Sequence, residues 1–579
     1  MKLGGVLCVT FACILSFSPA VRARGVNGGM ECAVCTVLLG LTEQLAEIHN
    51  ETLVEASMRI CNMLPYPLKL YCSKSVNALE EFLDQKFPVE ITPDVMCYAL
   101  GICYTEPERG FCHLFPKPKI GLPTAIKHVK KFLSEAKLSS LKYIPLHTTN
   151  KIPEFNICDI PGIKGICHLI ARSFNLVAPA LDVDQDWFSN FPWARGSFWR
   201  GRDCRDWDSK TYPGRLPIGN DVSGDSNCNG ISGVNTEGEI MPLEDVLCKG
   251  TEPRGLIYIG DSVGAHFHCP EAWMDPKQLS SETLQNITQW IFNEGDWPQL
   301  GFATGYMNIS GSPLIQGPTD SIYLRLRARN RCNHRDYQNL SRNGASTKTV
   351  LKHASGSLAR NKTTDYPAFV IYGLFGNDVC NNYADTEHNM TTPKMMKENV
   401  MNVLERLNST LPSGSNVLLI GLVDGSFIYP AMYNRLHPIG RFRQNVKYKN
   451  MYKWFTCMEI GPCLGWMTPN ATLRKITSRR SFELSGVLKK IAEDQSFSAL
   501  KIHYLDNPLA QVMQEWEKKG RQVWELIDPV DSLHPSQIAQ SLITDVLWRN
   551  IEQKFPYILG DVNPHNAKIE ELFGDQGGH

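Results

Sequence analysis

The chain has 579 residues, with 59 Lys and Arg balanced by 59 Asp and Glu, so its formal net charge is zero. This balance gives no electrostatic reason to expect a nucleic-acid or strongly acidic partner. Hydrophobic residues make up 43% and charged residues 20% of the chain, which excludes wholesale disorder, collagen, a coiled coil and a polytopic membrane protein. At ~150 residues per domain, the length predicts about two to four domains.

The first 23 residues are predicted to be a secretory signal peptide. Lys2 precedes a short apolar run, and Val21-Arg22-Ala23 places small residues at a cleavage position. An uncleaved N-terminal anchor is the alternative. Because no later stretch reaches about 18 uninterrupted apolar residues, we expect no transmembrane segment in the mature chain.

Cysteines and glycosylation sequons indicate an oxidising destination, either secreted or in lysosomal and endocytic vesicles. Removal of Cys8 and Cys13 with the signal from the 19 cysteines leaves an odd number, which predicts at least one free or intermolecular thiol. Asn-x-Ser/Thr sequons predict a glycoprotein. They begin at Asn50, Asn286, Asn308, Asn339, Asn361, Asn389, Asn408 and Asn470.

Residues 28–110 are predicted to form a small all-α domain held by disulfides. Apolar residues between Ala33 and Asn50, and again between Tyr71 and Phe87, recur at the spacing of one helical face. Six cysteines lie in this stretch, and their spacing alone leaves the pairing open. They are Cys32, Cys35, Cys61, Cys72, Cys97 and Cys103.

This cysteine pattern resembles a saposin-B domain. The resemblance implies the pairs Cys32–Cys103, Cys35–Cys97 and Cys61–Cys72. It also implies helices that open into a V whose inner face takes up lipid chains, since an amphipathic helix can cover acyl chains with its apolar face. A folding module without a lipid role and a zinc site at the CxxC sequence are the alternatives.

Residues 111–175 are predicted to be a linker and processing region. The segment from Leu141 to Pro161 carries several prolines and few periodic apolar residues, which is typical of an exposed, cleavable segment. An ordinary ordered crossover is the alternative.

Residues 176–250 carry alternating acidic residues that predict structural Ca²⁺. Asp225-Ser-Asn-Cys-Asn-Gly resembles the start of an EF-hand loop, in which oxygen ligands at alternate positions surround the ion. The twelfth position is Thr236 instead of Glu, so thrombospondin-type calcium loops are the closer likeness. A solvated acidic loop is the alternative. The predicted ligands are Asp182, Asp184, Asp186, Asp203, Asp206, Asp208, Asp221, Asp225, Asn227 and Asn229.

Residues 251–579 contain the pattern of a serine hydrolase. An apolar run of strand type, Gly255 to Gly260, leads into Asp261-Ser262. A serine at the carboxyl end of a parallel strand lies in the crevice where open α/β sheets bind ligands. Near the C-terminus, Asp531-x-x-His534 supplies an imidazole to take the serine proton and a carboxylate to hold that imidazole.

Two segments between Ser262 and Asp531 are predicted to complete an oxyanion hole with the Ser262 N–H. Gly344 offers a backbone N–H, and Asn377, which follows a second strand, offers a side-chain amide. His266 and His268 are predicted to lie on the helix after the serine, with packing or surface roles. His437 and His503 have no acid at usable spacing.

The order of four sites along the chain resembles that of the GDSL subfamily of SGNH hydrolases. The four sites are Ser262, Gly344, Asn377 and His534. The resemblance implies the triad Ser262, Asp531 and His534 on an α/β/α flavodoxin-like domain. Gly-Asp-Ser-Val-Gly also satisfies the elbow of α/β-hydrolases, which is the alternative. The adjacency of Asp531 and His534 favours the SGNH fold. The predicted class is therefore an α+β multidomain chain, in which a saposin-like domain precedes an SGNH domain with a calcium-loop insertion.

Over nearly the whole chain, this combination resembles the acyloxyacyl hydrolase family. That resemblance implies an esterase that removes secondary fatty acyl chains from the lipid A of bacterial lipopolysaccharide and so detoxifies it. It also implies a precursor cleaved into small and large subunits that stay joined by a disulfide. A broader phospholipase or lysophospholipase, and a lipid-binding or lipid-presenting protein with an inactive hydrolase fold, are the alternatives.

Overall fold

The computed structural model of the chain describes residues 25–85, 91–136, 175–236, 239–309, 312, 314–383 and 385–579. The predicted signal peptide and the predicted cleavage segment from Leu141 to Pro161 lie outside these residues. Within the described ranges, no helix combines the length and apolar character needed to cross a bilayer.

Five helices of the N-terminal module lie within the described residues. Its second helix begins with a capping box, in which Thr52 accepts the N–H of Glu55 and the Glu55 carboxylate accepts the N–H of Thr52. Its fourth begins at a Thr92 cap followed by proline. The helices are α1 Gly29–His49, α2 Leu53–Met63, α3 Leu68–Leu83, α4 Pro93–Ala99 and α5 Leu122–Ala136.

Three disulfides join these helices in the pattern implied by the saposin resemblance, which is thereby confirmed. They connect Cys32 with Cys103, Cys35 with Cys97 and Cys61 with Cys72. Both cysteines of the CxxC sequence are oxidised, so the zinc alternative is wrong. Such bridges stabilise a small helical module mainly by restricting its unfolded chain.

The predicted linker is wrong for residues 111–136, which belong to the helical module. Helix α5 buries an apolar stripe that includes Ala125, Val129 and Leu133. The segment before it is fixed by the buried Asp94 carboxylate, which accepts the N–H groups of Leu114 and Phe115. The spacing of Ala125, Ile126, Val129 and Leu133 is that of one helical face and was the signal available in the sequence.

The larger domain is organised around a five-stranded parallel sheet with the order β2-β1-β3-β4-β5. This is the flavodoxin-like order, so the predicted fold class is confirmed. The first four strands are buried along their whole length, as parallel strands covered on both faces must be. The strands are β1 Gly255–Gly260, β2 Tyr337–Asn339, β3 Ala368–Gly373, β4 Ser415–Ile420 and β5 Leu500–Leu505.

Helices cover both faces of the sheet. Alternate residues of β1 point to opposite sides: Ile257 packs in the core with α11, α12 and α15, and Tyr258 in the core with α10, α16 and α17. The helices of this domain are α6 Leu243–Leu247, α7 Ser262–Ala265, α8 Ser281–Leu284, α9 Ile287–Phe292, α10 Ile322–Arg329, α11 Thr347–Ser357, α12 Pro393–Thr410, α13 Ile428–Met432, α14 Tyr448–Met458, α15 Ala471–Asp494, α16 Leu509–Lys518, α17 Gln537–Lys554 and α18 Asn566–Phe573.

Four further disulfides lie outside the saposin-like set in the described residues. One of them, Cys112–Cys457, joins the helical module to α14 of the larger domain across 345 residues of sequence. The others are Cys204–Cys228, Cys248–Cys332 and Cys380–Cys463. Cys269 is free and buried, in accord with the odd cysteine count.

The helical module packs directly on the larger domain through α1. Val34 shares one apolar core with Trp290 and Trp454 of the larger domain. At the edge of this contact the Gln44 amide donates to the carbonyl of Ile439 at 3.1 Å, and Arg443 pairs with Glu47 at 2.8 Å. The helical module therefore shares a continuous apolar core with the larger domain.

Candidate active site

Ser262 lies immediately after β1, at the edge of the sheet where open α/β folds bind ligands. Asp261 caps the short helix α7 by accepting the N–H of Val263 at 3.0 Å. This turn presents the Ser262 Oγ to the Nε2 of His534, 2.6 Å away. The distance is within hydrogen-bond reach of a general base.

Asp531 holds the other side of the His534 ring. Its Oδ2 lies 2.5 Å from His534 Nδ1, and its Oδ1 accepts the N–H groups of Leu533 and His534 at 2.7 and 3.0 Å. A carboxylate at Nδ1 fixes the tautomer that carries its proton there, which leaves Nε2 free to accept the serine proton. The structure therefore brings together the three residues that the sequence predicted as a triad.

The charges of this pair are mutually stabilised. Burial raises the pKa of Asp531, but the neighbouring His534 and the hydrogen bonds to the carboxylate outweigh burial and hold this pKa below its ordinary value. Burial lowers the pKa of His534, but Asp531, with smaller contributions from Asp528 and Asp261, outweighs burial and holds the pKa of the imidazole above its ordinary value. The pair is thus suited to carry a transient imidazolium.

The two predicted oxyanion residues, Gly344 and Asn377, line the same cavity as Ser262 and His534. Gly344 has a φ of +70°, a conformation that favours glycine. The loop around it is fixed by Asn343, whose side chain donates to the carbonyl of Glu294 at 2.8 Å.

Two buried aspartates that the sequence analysis did not single out hold these loops in place. Asp261 Oδ2 accepts the N–H of Phe375 at 2.7 Å, which ties the Asn377 loop to the serine turn. Asp378 accepts the hydroxyl of Thr347 at 2.7 Å, which ties the Asn377 loop to the Gly344 loop. The sequence marks these two aspartates only by their position, because each directly neighbours a predicted site residue.

A largely apolar cavity of about 570 Å³ opens beside Ser262. Its volume falls in the usual range of small-molecule sites. One wall comes from the saposin-like helix α1, and the rest from aromatic and aliphatic residues of the larger domain. Its apolar lining includes Met30, Ala33, Val34, Val37, Met274, Trp290, Ile439, Met451, Trp454, Phe455, Ile460 and Trp466.

The histidines near the serine differ from their predicted placement. Helix α7 ends at Ala265, so His266 and His268 lie beyond it and both are buried. His268 Nδ1 lies 2.5 Å from Asp528 Oδ2. His437, which had no acid at usable spacing, contacts the carbonyl of Val530 through Nε2 at 2.9 Å.

The predicted glycan at Asn339 is wrong. Asn339 lies on β2 with 1% of its surface exposed. Its amide donates to the carbonyl of Gly264 at 2.8 Å and to the hydroxyl of Thr304 at 3.1 Å, so it supports the serine turn and leaves no room for a sugar. The other seven sequon asparagines are partly or fully exposed and remain predictions.

The acidic loops gather most of the predicted ligands into two groups. In the first, one carboxylate oxygen each from Asp182, Asp184 and Asp206 lie within 4.8 Å of one another, as do those of Asp184, Asp186 and Asp203. One oxygen of Asp184, of Asp186 and of Asp203 is buried without a hydrogen-bond partner among the described residues. Hard oxygen ligands in this arrangement fit Ca²⁺.

The second group contains Asp221, Asp225, Asn227 and Asn229. Glu244, which the sequence analysis missed, joins it: the amides of Asn227 and Asn229 each donate to Glu244 Oε1 at 2.6 Å, and Glu244 Oε2 is buried without a partner among the described residues. Glu244 thus ties the side chains of Asn227 and Asn229 together.

The side chain of Asp208 joins neither group, and its place among the calcium ligands stays a prediction. It accepts the N–H of Lys210 at 3.3 Å and the hydroxyl of Thr211 at 3.0 Å. The Thr211 hydroxyl, followed by the Lys210 N–H, lowers the pKa of Asp208. These contacts are typical of an aspartate that stabilises a turn.

Comparison with known proteins identifies the family. Residues 31–168 match the Saposin-like domain model and residues 256–547 the GDSL-like Lipase/Acylhydrolase model. Acyloxyacyl hydrolase of Oryctolagus cuniculus is 43% identical over 552 residues, which cover 95% of this chain and 93% of the relative. The enzyme of Mus musculus is 42% identical over 553 residues, covering 95% and 94%. The chain belongs to the acyloxyacyl hydrolase family. The Homo sapiens member is 42% identical over 556 residues, covering 96% and 94%.

Membership of this family and the GDSL match make the chain a lipid-deacylating ester hydrolase. The flavodoxin-like strand order excludes the α/β-hydrolase alternative. The saposin-like match extends to residue 168, beyond the predicted domain end at residue 110, and so includes α5.

Proposed function

We propose that the chain hydrolyses esters through an acyl-enzyme on Ser262. His534 Nε2 takes the proton of the Ser262 hydroxyl as its Oγ attacks the ester carbonyl, and Asp531 stabilises the resulting imidazolium. The N–H groups of Ser262 and Gly344 and the amide of Asn377 hold the oxyanion. His534 then protonates the leaving alcohol, and water releases the fatty acid by the same steps. The observation that carries this proposal is the Asp531–His534–Ser262 hydrogen-bond relay.

We propose that the substrate is the lipid A part of bacterial lipopolysaccharide, from which secondary fatty acyl chains are removed. The three relatives are named acyloxyacyl hydrolases, and an acyloxyacyl group is a fatty acid esterified to the hydroxyl of another. The apolar cavity beside Ser262 suits one acyl chain in extended form. Loss of these chains detoxifies lipopolysaccharide, as the family resemblance implies.

Identification of the released fatty acids tests this proposal. The purified protein is incubated with lipopolysaccharide and, separately, with a phosphatidylcholine, beside a heat-inactivated control. Release of secondary chains alone from lipopolysaccharide supports the proposal. Release from phosphatidylcholine alone replaces it with a broader phospholipase. Binding of either lipid without release contradicts it in favour of a lipid-binding protein.

Because helix α1 forms one wall of the cavity, we expect its residues to affect the hydrolysis of esters with long acyl chains. Ala33→Phe places a ring in the cavity, and each methylene denied burial loses about 0.8 kcal/mol. We expect kcat/KM to fall at least tenfold for a long-chain ester and to stay within about twofold for an acetyl ester, which does not reach this wall. Equal loss with both esters would show that α1 does not line the acyl site.

We propose that the chain is secreted or delivered to endocytic vesicles and is cleaved into two subunits. The predicted signal peptide, the disulfides and the exposed sequons support this destination. Cys112 precedes the predicted cleavage segment and Cys457 follows it, so the disulfide between them can hold the two parts together.

This arrangement predicts the behaviour of cleaved protein on a gel. After cleavage between residues 137 and 174, the protein is expected to migrate as one species without reductant and as two with it. Cys112→Ser is expected to release the small part under denaturing conditions without reductant. Cys269→Ser is the matched control, since this thiol is free, and separation in that variant would contradict the assignment.

We propose that Ca²⁺ orders the acidic loops in a structural role. The three unpartnered carboxylate oxygens of the first group are the support for this proposal, because buried like charges without partners are unfavourable unless a cation neutralises them. Asp184, Asp186 and Asp203 would hold the ion, with Asp182 and Asp206 beside them. The role is structural, and no catalytic step depends on it.

Chelation tests the calcium proposal. A ligand at about 100 times its Kd stabilises by ~2.7 kcal/mol, so removal of Ca²⁺ is expected to lower Tm by several degrees, reversibly. Asp186→Asn is expected to abolish this calcium-dependent shift, whereas Asp208→Asn is expected to retain it. A Tm that chelation leaves unchanged, with no calcium in the purified protein, would contradict the proposal.

A further inference from the structure

A second histidine–aspartate pair lies directly behind the triad. His268 Nδ1 and Asp528 Oδ2 are 2.5 Å apart, although the two residues are 260 positions apart in sequence. Both are buried, with 5% of His268 and none of Asp528 exposed. The mechanism does not use either residue, because neither contacts Ser262 or lies at the mouth of the acyl cavity.

Asp528 is the residue around which the catalytic turn closes. Its Oδ1 accepts the N–H groups of Val530 and Asp531 at 2.8 and 3.0 Å. Its own N–H donates to the carbonyl of His534 at 2.8 Å, and its carbonyl accepts the N–H of Ser532 at 3.0 Å. One residue therefore fixes the catalytic turn at two points: the Asp528 side chain holds the backbone at the acid, and its backbone N–H holds the backbone at the base.

His268 is in turn fixed by the serine side of the site. Its carbonyl accepts the indole N–H groups of Trp290 and Trp297 at 2.8 and 3.0 Å. The neighbouring Phe267 donates its N–H to the Ser262 carbonyl at 2.9 Å and places its ring 5.0 Å from the His534 ring. The segment thus connects the serine turn with the turn that carries the acid and the base.

The hydrogen bond between the two side chains runs from the imidazole to the carboxylate. His268 Nε2 has no hydrogen-bond partner among the described residues, whereas Nδ1 faces Asp528. The neutral tautomer with its proton on Nδ1 satisfies this arrangement, because it donates to the carboxylate and leaves no buried N–H without an acceptor. The N–H groups of Val530 and Asp531 reach only Oδ1 of Asp528. His268 therefore supplies the hydrogen-bond donor for Oδ2.

We propose that His268 is a positioning residue for hydrolysis, acting through Asp528 to set the distance between His534 and Ser262. This inference rests on the proposed triad. It requires no proton transfer by His268 and no contact with substrate. Without the imidazole, the buried carboxylate loses its donor, and the catalytic turn relaxes away from the serine turn. A misplacement of about 1 Å at such a site costs roughly 10²-fold in rate.

Two replacements of His268 separate positioning from packing. His268→Asn keeps an N–H near the position of Nδ1, whereas His268→Leu keeps apolar volume but no donor. We expect His268→Leu to lower kcat about 10–100-fold with KM within about threefold. We expect His268→Asn to recover most of the lost kcat. His503→Leu, a buried histidine on β5 that faces Asn416, is the matched control and is expected to leave kcat unchanged.

The readouts are kcat and KM for a long-chain ester, with Tm of each variant. Equal kcat for His268→Leu and wild type overturns the proposal, as does equal loss in the leucine and asparagine variants when their Tm values match. A loss of kcat that follows Tm alone, and equals that of His503→Leu at matched Tm, also overturns it. Failure of the triad itself is distinguishable, since Ser262→Ala would then retain hydrolysis.

Discussion

Ser262→Ala is expected to lower kcat by about 10⁶-fold, the cost of removing the nucleophile from other serine triads. The loss is large because the Ser262 hydroxyl, 2.6 Å from His534 Nε2, is the nucleophile that this base activates. Among the described residues, no other hydroxyl takes its place. Substrate binding is expected to survive, since the acyl cavity is lined mainly by apolar side chains that the substitution does not touch. The measurements are single-turnover hydrolysis and lipid binding on the same preparation.

A second serine at the same edge of the sheet provides the control. Ser426 follows β4, and its backbone N–H is held by Asp424 at 2.9 Å, as Asp261 holds the turn after β1. It is not among the residues that line the cavity. Ser426→Ala is expected to hydrolyse as wild type does. If Ser426→Ala lost activity and Ser262→Ala kept it, the assignment of the nucleophile would be overturned.

Asp531→Asn is expected to lower kcat by about 10⁴-fold while leaving KM nearly unchanged. The amide cannot hold the imidazole proton on Nδ1 as the carboxylate does, and it cannot stabilise the imidazolium. Asp385 and His388 form a second Asp-x-x-His pair on the surface, 3.1 Å apart. Asp385→Asn is therefore the matched control, and its kinetics are expected to equal those of wild type.

The pH dependence follows from the same pair. Hydrolysis needs the neutral imidazole, and Asp531, helped by Asp528 and Asp261, outweighs burial and holds the pKa of His534 above its ordinary value. We therefore expect kcat/KM to rise with pH through an apparent pKa above about 6.5, a value that belongs to the coupled pair. Asp531→Asn is expected to move this limb to lower pH. A limb unchanged in the variant would show that another base titrates.

Local patterns in the sequence were sufficient for the strands that precede Ser262 and Asn377 and for the triad. The apolar run before Asp261 predicts a buried parallel strand, and the spacing of Asp531 and His534 places both on one turn. The saposin-like disulfides were recognisable because six cysteines lie within one module. Each of these features depends on residues that are close in sequence or on a pattern that a family shares.

Features that depend on distant contacts could not be predicted. The Cys112–Cys457 bridge and the His268–Asp528 pair join residues hundreds of positions apart, so no spacing announces them. The cavity beside Ser262 likewise combines residues of α1 with residues of the larger domain that are distant in sequence. Asn339 shows that a correct sequon is not sufficient to predict a glycan, because the strand buries this side chain.

The central claim is that Ser262 accepts a secondary acyl chain of lipid A as a covalent ester. Lipopolysaccharide is mixed with the enzyme, the reaction is quenched in acid during turnover, and the peptide that contains Ser262 is analysed by mass spectrometry. We predict an adduct of the same fatty acid that is released, removable by hydroxylamine. Release of secondary chains without any adduct on Ser262, or an adduct on another residue, would contradict the account.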